Sequence, residues 1–424
     1  MRDYAKLMAA CGVEDYLVTE TVYKSAELFF VKKKLDMRRF RNTAEASVVV
    51  YKTFEENGEK KKGSASFAAN LSDSDEKIAS KIKAALFSAG FVKNKYYEFP
   101  AGVKESEQVQ ESDLNGKELS AVALEFADAV YAEDKDDKAF INSLEIFAVE
   151  RHVHIIASHG TDVSYVKREV SGEFVAQCRE PEDVETYQDF KYDSLALDDI
   201  RTLVTRTLAM TRDRAEAKEM PASGTYDLVL SDKYVPVLFS FYGCRANTNL
   251  IYPGYSEYKV GDNVQGEGVK GDKLNICFGV TAPYSSEGIP MKERPFIEDG
   301  VLKTIHGDVR FSYYLGVDPI GQYSKVLIPA GNTEFSELVS RPCLHVVNFS
   351  DFQTDPFDGH FKGEIRLAYL YDGKGGVRFV TGGSINGSIF EAQKELVLSK
   401  ETQKLADYSG PRAVLLKGVA VAGA

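Results

Sequence analysis

The sequence predicts an α+β protein in two parts. An N-terminal α/β region of antiparallel strands and helices spans residues 1–218, with a sub-boundary near 100–115, and a mostly β domain spans 219–424. Three observations carry this prediction. A chain of 424 residues exceeds what one ordinary core accommodates. Before residue 218, runs rich in Val, Tyr and Phe alternate with segments whose apolar residues repeat at the helical period. After residue 225, short strand-like runs recur between glycine-bearing turns.

In chain order, DYLVTETVYKSAELFFV (15–31) and EASVVVYKTF (45–54) have strand composition. ENGEKKKG (56–63) combines turn residues with charge and reads as a hairpin tip. LSDSDEKIASKIKAALFSAGF (71–91) predicts a helix. Ser72 or Asp73 serves as its cap, Ile78, Ile82 and Leu86 lie on one stripe, and Gly90 closes it. PAGVKESEQVQESDLNGK (100–117) is polar and aperiodic, a linker or long loop. ELSAVALEFADAVYAED (118–134) predicts a second helix, and residues 143–178 alternate as an antiparallel meander. A third helix follows over 193–217, with Leu195, Ile200, Leu203, Val204 and Leu208 on or near one stripe. Pro221 and Gly224 then mark the junction, within an exposed KEMPASG turn. In the second part the predicted strands are TYDLVLS, LNICFGVTA, VRFSYYLGV, KVLIPA, CLHVVNFSDF, GEIRLAYLY, VRFVTGG and AVLLKGVAV, with turns at EDG, YDGKGG and INGS.

Composition narrows the function. The net charge of −12 opposes a general affinity for nucleic-acid backbones. No stretch approaches the ~18 apolar residues that span a bilayer, and the acidic residues near the N-terminus do not suit a secretory signal. Cys11, Cys178, Cys244, Cys277 and Cys343 are odd in number and never form C-x-x-C, the pattern of reduced thiols in a cytoplasmic protein.

Candidate sites are few. His152 and His154 share a strand face, with His159 nearby, but Arg151 adds a repelling charge and no cysteine or carboxylate stands at ligand spacing. Lys32, Lys33, Lys34, Arg38, Arg39 and Arg41 form a basic block that reads as a solvated face. The glycines of 258–272 lack a phosphate-loop pattern and read as a flexible loop. Asp355, Asp358, His360 and Glu364 lack the calcium-loop register, so a tight β connection accounts for them. Neither G-x-S-x-G nor H-E-x-x-H is present. The apolar run VPVLFSFYGC within DKYVPVLFSFYGCRAN (232–247) reads as a packing helix, with Val235, Val237, Leu238, Phe239 and Phe241 as core residues. No catalytic, cofactor-binding or metal-binding residue is assigned.

Six landmarks in order nevertheless resemble one family: residues 60–90 around a GxAS-like segment, the meander 154–178, SGTYDLVLSDKYVPVLF (223–239), RPFIEDGVLKT (294–304), IPAGNTEFSELVSR (328–341) and the closing strands 357–390. They resemble the TldD/PmbA proteins, labelled modulators of DNA gyrase and understood as zinc-dependent peptidases. The resemblance implies an N-terminal α/β region and a C-terminal β domain housing a peptide cleft. In TldD-type subunits the helix after the 223–231 strand carries H-E-x-x-x-H, and a later cysteine completes the zinc site. Here that helix reads YVPVLFSFYGCRAN, with neither histidine nor glutamate. His360 is the last histidine and Cys343 the last cysteine, so the closing strands add no such ligand. The resemblance therefore implies a PmbA (TldE)-like subunit with no cofactor of its own, and zinc only in a TldD-like partner. Its expected partners are that catalytic subunit, or a second copy of itself as a homodimeric peptide-binding protein, together with short or unfolded peptides.

Overall fold

The computed structural model describes residues 2–70 and 72–424. The N-terminal part is one seven-stranded sheet. Strands β1 (Asp15–Val31), β2 (Lys34–Glu56), β3 (Glu59–Asn70), β4 (Gln108–Val109), β5 (Ala139–Ala157), β6 (Asp162–Cys178) and β7 (Val184–Tyr192) are arranged β3-β2-β1-β5-β6, and β4 and β7 both pair with β6. All pairings are antiparallel except β4–β6. The tip of the β2–β3 hairpin is Asn57–Gly58, both at positive φ (53° and 78°), the backbone an Asn-Gly turn provides without strain. The lysines predicted to share the tip run into β3 instead.

Two helix layers cover different lengths of these long strands. Helices α1 (Tyr4–Ala10) and α2 (Asp75–Ala89) bury Met8, Ile78 and Ile82 against Val18, Val48 and Val50. Helices α3 (Leu119–Glu133) and α4 (Leu197–Glu216) bury Phe126, Val130, Ile200, Val204 and Leu208 against Leu144, Ile146 and Phe174. Most of the predicted stripe positions are buried because i, i+4 spacing keeps them on one face, but Leu86 and Leu203 are only partly covered and Leu195 precedes α4. The cap of α2 is Ser74, which accepts from the Lys77 amide, rather than Ser72 or Asp73. Asp73 instead accepts from the ammonium groups of Lys77 and Lys81, and these bonds hold its carboxyl well below the usual range. Leu71, the first residue of that predicted segment, lies outside the described residues.

The aperiodic 100–117 stretch is not a free linker. The Gly102 amide donates to the His159 carbonyl, and a Cβ at Gly102 would stand 2.3 Å from the Gly160 backbone. Farther on, β4 adds to the edge of β6. The KEMPASG junction is exposed at most positions, yet its backbone is tied: Thr381 donates to Glu219, Ser223 to Ala424 and Ala424 to Pro221.

After the junction, β8 (Gly224–Ser231) leads into α5 (Tyr234–Arg245). β8 lies in a seven-stranded sheet, between the strands Pro342–Thr354 and Ala413–Ala422. A second, six-stranded sheet carries Ile276–Gly279, Arg294–Glu298, Lys325–Leu327 and the hairpin Thr402–Leu405/Tyr408–Pro411. One apolar cluster joins the two sheets through Leu228, Leu344, Phe278, Phe296 and the buried face of α5.

Two predicted elements change type. VRFSYYLGV is a helix, Val309–Leu315, not a strand. The Asp308 carboxylate accepts from the Phe311 amide, and Gly316 closes the helix at φ 68°, so local capping overrides the strand-like composition. INGS lies within the strand Ser384–Ser388, paired with His360–Glu364, rather than in a turn. EDG and YDGKGG do connect strands. The glycine-bearing 258–272 segment is an irregular but anchored path, not a flexible loop. Buried Gln265 donates to the carbonyls of Asp272 and Gln393, and a Cβ at Gly271 would stand 2.2 Å from the Leu396 carbonyl.

Candidate functional site: a cleft between the two parts

Helix α5 has two working faces. Tyr234, Val235, Leu238, Phe239, Phe241 and Tyr242 are buried. Pro236 sits in the first turn, where no intrahelical amide partner is required of it. Hydrogen bonds from Tyr242 Oη to Gln393 Oε1 (2.7 Å) and from the Phe349 amide to Tyr234 Oη (2.9 Å) anchor the buried face. Val237 departs from the predicted core set. It is only half-buried and stands on the opposite face with Pro236, Ser240, Gly243 and Cys244, which wall a cleft of about 930 Å³.

The far wall comes from the N-terminal part: Gln188 to Tyr192 of β7, and Asp199, Thr202, Leu203 and Arg206 of α4. The loop of the 402–411 hairpin closes a third side. Among the described residues Thr402–Leu405 is the last strand of its sheet and β7 pairs only with β6, so both sheets present an edge at this cleft. Charges on the walls are paired in part. Arg206 binds Asp232, Lys233 lies 3.7 Å from Asp189, and Lys167 donates to the Thr281 carbonyl. Burial lowers the Lys167 ammonium below its ordinary value, opposed by Glu169.

Buried His306 lines the same cleft. Its Nε2 donates to the Gly243 carbonyl at 2.9 Å and its Nδ1 accepts from the Tyr323 amide at 3.0 Å, which assigns a neutral imidazole with the proton on Nε2. Burial pushes its pKa down to about 4.

The zinc that the resemblance implies in a TldD-like partner would not fit this donor set. The cleft-facing positions of α5 supply one thiol, Cys244, and no imidazole or carboxylate. Burial raises that thiol above its ordinary value, away from the thiolate that binds metal. Nor is His306 an available ligand, since both its nitrogens are bonded to backbone. Among the described residues, no three His, Cys, Asp or Glu side chains gather in a way that could hold an ion.

The other sequence candidates are dispersed. His152 binds Glu150 at 2.9 Å, His154 lies between Glu20 and Asp162, and His159 stacks on Phe99. The carboxylates raise the His154 pKa, Glu20 most. In the basic block, Arg39 and Arg41 pair with Glu27, and Lys33 pairs with Asp134. Asp355 and Asp358 accept the amides of Phe357 and His360 in the connection between two strands. The cleft residues Arg206, Asp232, His306 and Arg412 escaped sequence reasoning because they are isolated along the chain and carry no local motif.

Fold and cleft together define an α+β protein with a groove framed by two sheet edges and by helices α4 and α5. Family models extend this to a kinship. Residues 110–215 match the PmbA/TldA metallopeptidase central domain, and residues 223–423 match the PmbA/TldA metallopeptidase C-terminal domain. The chain belongs to the PmbA/TldD family. It is 24% identical over 297 residues to a metalloprotease of Methanothermobacter thermautotrophicus, an alignment spanning 66% of this chain and 61% of that protein. The fold is shared with TldE from Thermococcus kodakarensis (TM-score 0.80, 16% identity, covering 99% of this chain and 100% of that one). It is also shared with proteins labelled as modulators of DNA gyrase from Thermotoga maritima (TM-score 0.77, 16% identity, 99% of both chains) and Bacteroides thetaiotaomicron (TM-score 0.77, 16% identity, 100% of both).

Proposed function

We propose that this chain is a non-catalytic, TldE-like subunit of a two-subunit, cytoplasmic peptidase of its family, acting on short or unfolded peptides. The observation that carries this reading is the cleft face of α5. At the place where the family's catalytic subunits bear H-E-x-x-x-H, it presents Pro236, Val237, Ser240, Gly243 and Cys244. Without imidazole and carboxylate donors, zinc bound here would not recover its desolvation. The chain's own contribution is binding. The edges of β7 and Thr402–Leu405 offer backbone donors and acceptors to an extended peptide. Hydrolysis belongs to a partner subunit that carries the H-E-x-x-x-H helix. The test is co-expression with such a partner from the same genome, followed by co-purification and a peptide-cleavage assay. Cleavage by the pair, with none by this chain alone, supports the proposal. Metal-dependent cleavage by this chain alone overturns it, as does a stable homodimer that ignores every such partner.

A further inference from the structure

Beside the main cleft lies a smaller cavity of about 200 Å³, between α4 and the seven-stranded sheet. Arg206, Asp232 and Arg412 line both spaces, so the cavity adjoins the cleft. Its other walls include Met210, Val347 and Tyr371, an apolar and aromatic surround.

The polar groups at its mouth are incompletely matched. Asp232 is committed: one carboxylate oxygen pairs with Arg206 and the other accepts from Ser231 Oγ at 2.9 Å. Arg412 Nε stands 4.0 Å from Asp232, beyond hydrogen-bond reach, and is a buried donor without a partner among the described residues. The guanidinium is held in place by the Phe335 ring, 4.9 Å away. His345, which is 5% exposed, also lines the cavity. Its Nε2 lies 2.9 Å from Ser231 Oγ. Because the Ser231 proton goes to Asp232, His345 must donate there, leaving its Nδ1 as an acceptor. That Nδ1 is buried and has no partner among the described residues. The neighbouring Arg412 and Arg206 charges add to burial in holding the ring neutral.

An unmatched cationic donor and an unmatched neutral acceptor thus stand at one small, largely apolar cavity. Burying such groups unpaired is costly, so the site is chemically complementary to a ligand that supplies both partners. We propose that this cavity is a subsite for a free α-carboxylate with an adjacent N–H group and an apolar side chain, the chemistry of a peptide's C-terminal residue. The carboxylate meets Arg412, the N–H donates to His345 Nδ1, the side chain fills the apolar walls, and the preceding residues extend into the main cleft. This rests on the peptide-binding reading above and gives it a direction: the chain's occupied end is the carboxyl end. A free amino acid offers the same groups, and the experiment separates the two sources.

The full chain is titrated calorimetrically with acetyl-Ala-Ala-Leu, with its C-terminal amide, and with free L-leucine. The acid should bind at least about tenfold more tightly than the amide, the scale of one charge-assisted hydrogen-bonded contact. Arg412→Ala should abolish that preference, and Arg412→Lys, which keeps the charge and guards against a folding defect, should reduce it. His345→Phe, with its melting temperature checked against wild type, should weaken the acid about threefold or more. Equal binding of acid and amide overturns the subsite while leaving peptide binding intact. A preference unchanged in both Arg412 variants also overturns it. Leucine binding without peptide binding upholds the subsite and defeats the peptide reading, and no binding by any of the three defeats both.

Discussion

Acidification should loosen the cleft through His306, and the size of the effect follows from its surroundings. Above its pKa the imidazole fits: Nε2 donates to Gly243 at the end of α5, and Nδ1 accepts from Tyr323. Protonation puts a second N–H on Nδ1, facing the Tyr323 amide, donor against donor. The ring is packed against Phe278 at 4.7 Å, so it has little water to turn to. Its pKa falls from 6.5 to about 4 on folding. The unfolded chain therefore binds the proton first as pH drops, and the stability His306 contributes is complete above 6.5 and is lost as pH falls from there towards 4. The loss reaches roughly 3 kcal/mol by pH 4, from about 1.4 kcal/mol per pKa unit. Histidine-selective NMR titration of the native protein should show, besides buried His345, an imidazole still neutral at pH 5.5 whose signal is missing from His306→Asn. Urea unfolding should show the cost of that variant shrinking by roughly 3 kcal/mol between pH 7 and pH 4. A His306 resonance that titrates near 6.5, or a variant cost independent of pH, would refute the reasoning.

Phe239→Ala empties a position that is 1% exposed in the core joining the two sheets, and should cost about 3–5 kcal/mol, seen as a melting temperature lowered by roughly 6–20 °C. Ser240→Ala, on the cleft face of the same helix, should leave melting within about 2 °C of wild type. If Phe239→Ala melts like wild type but abolishes cleavage by the partnered enzyme, the helix has been assigned the wrong face. Protein prepared without a polyhistidine tag should carry well under one zinc per chain by elemental analysis, and His152→Ala with His154→Ala should not alter the figure. Stoichiometric zinc lost in that double variant would overturn the reading of the donor set. Limited proteolysis at KEMPASG should be slow despite its exposed side chains, because cleavage requires the backbone bonds to Thr381 and Ala424 to open first. Rapid cutting there would show that those bonds do not hold in solution.

What could be read from the sequence was whatever a local period or a turn encodes. The stripes of α2 and α4, the Asn57–Gly58 hairpin and the alternation of β5 and β6 each depend on neighbours within a few residues. The helix at 309–315 was misread because Val, Phe and Tyr favour strands on average, while its N-cap Asp308 stood just outside the run and its closing Gly316 was taken for part of the strand. The anchoring of 258–272 depends on Gln265 reaching Gln393, a partner 128 residues away that no local pattern announces. Helix α5 was half legible. Its core face is apolar as expected, but Pro236 and Val237 make the cleft face apolar too, so periodicity could not separate the two. The cleft itself is a product of tertiary structure: Arg206 arrives on α4, Asp232 after β8, His306 just before the 309–315 helix and Arg412 at the end of the 402–411 hairpin.

The long first sheet has a consequence for how the protein can be divided. The match to the central family domain begins at residue 110, after β1, β2 and β3. Yet β1 pairs with β5 continuously from Leu17–Ala157 to Val31–Ser143. A fragment starting at residue 110 would retain α3, α4 and their apolar contacts while baring one whole side of β5. That is a row of unpaired amides and carbonyls ~50 Å long at strand rise, a template on which fragments would stack edge to edge. The segment that recurs as an evolutionary module is therefore not a module of folding. Solubility of the central region depends on the first seventy residues staying attached.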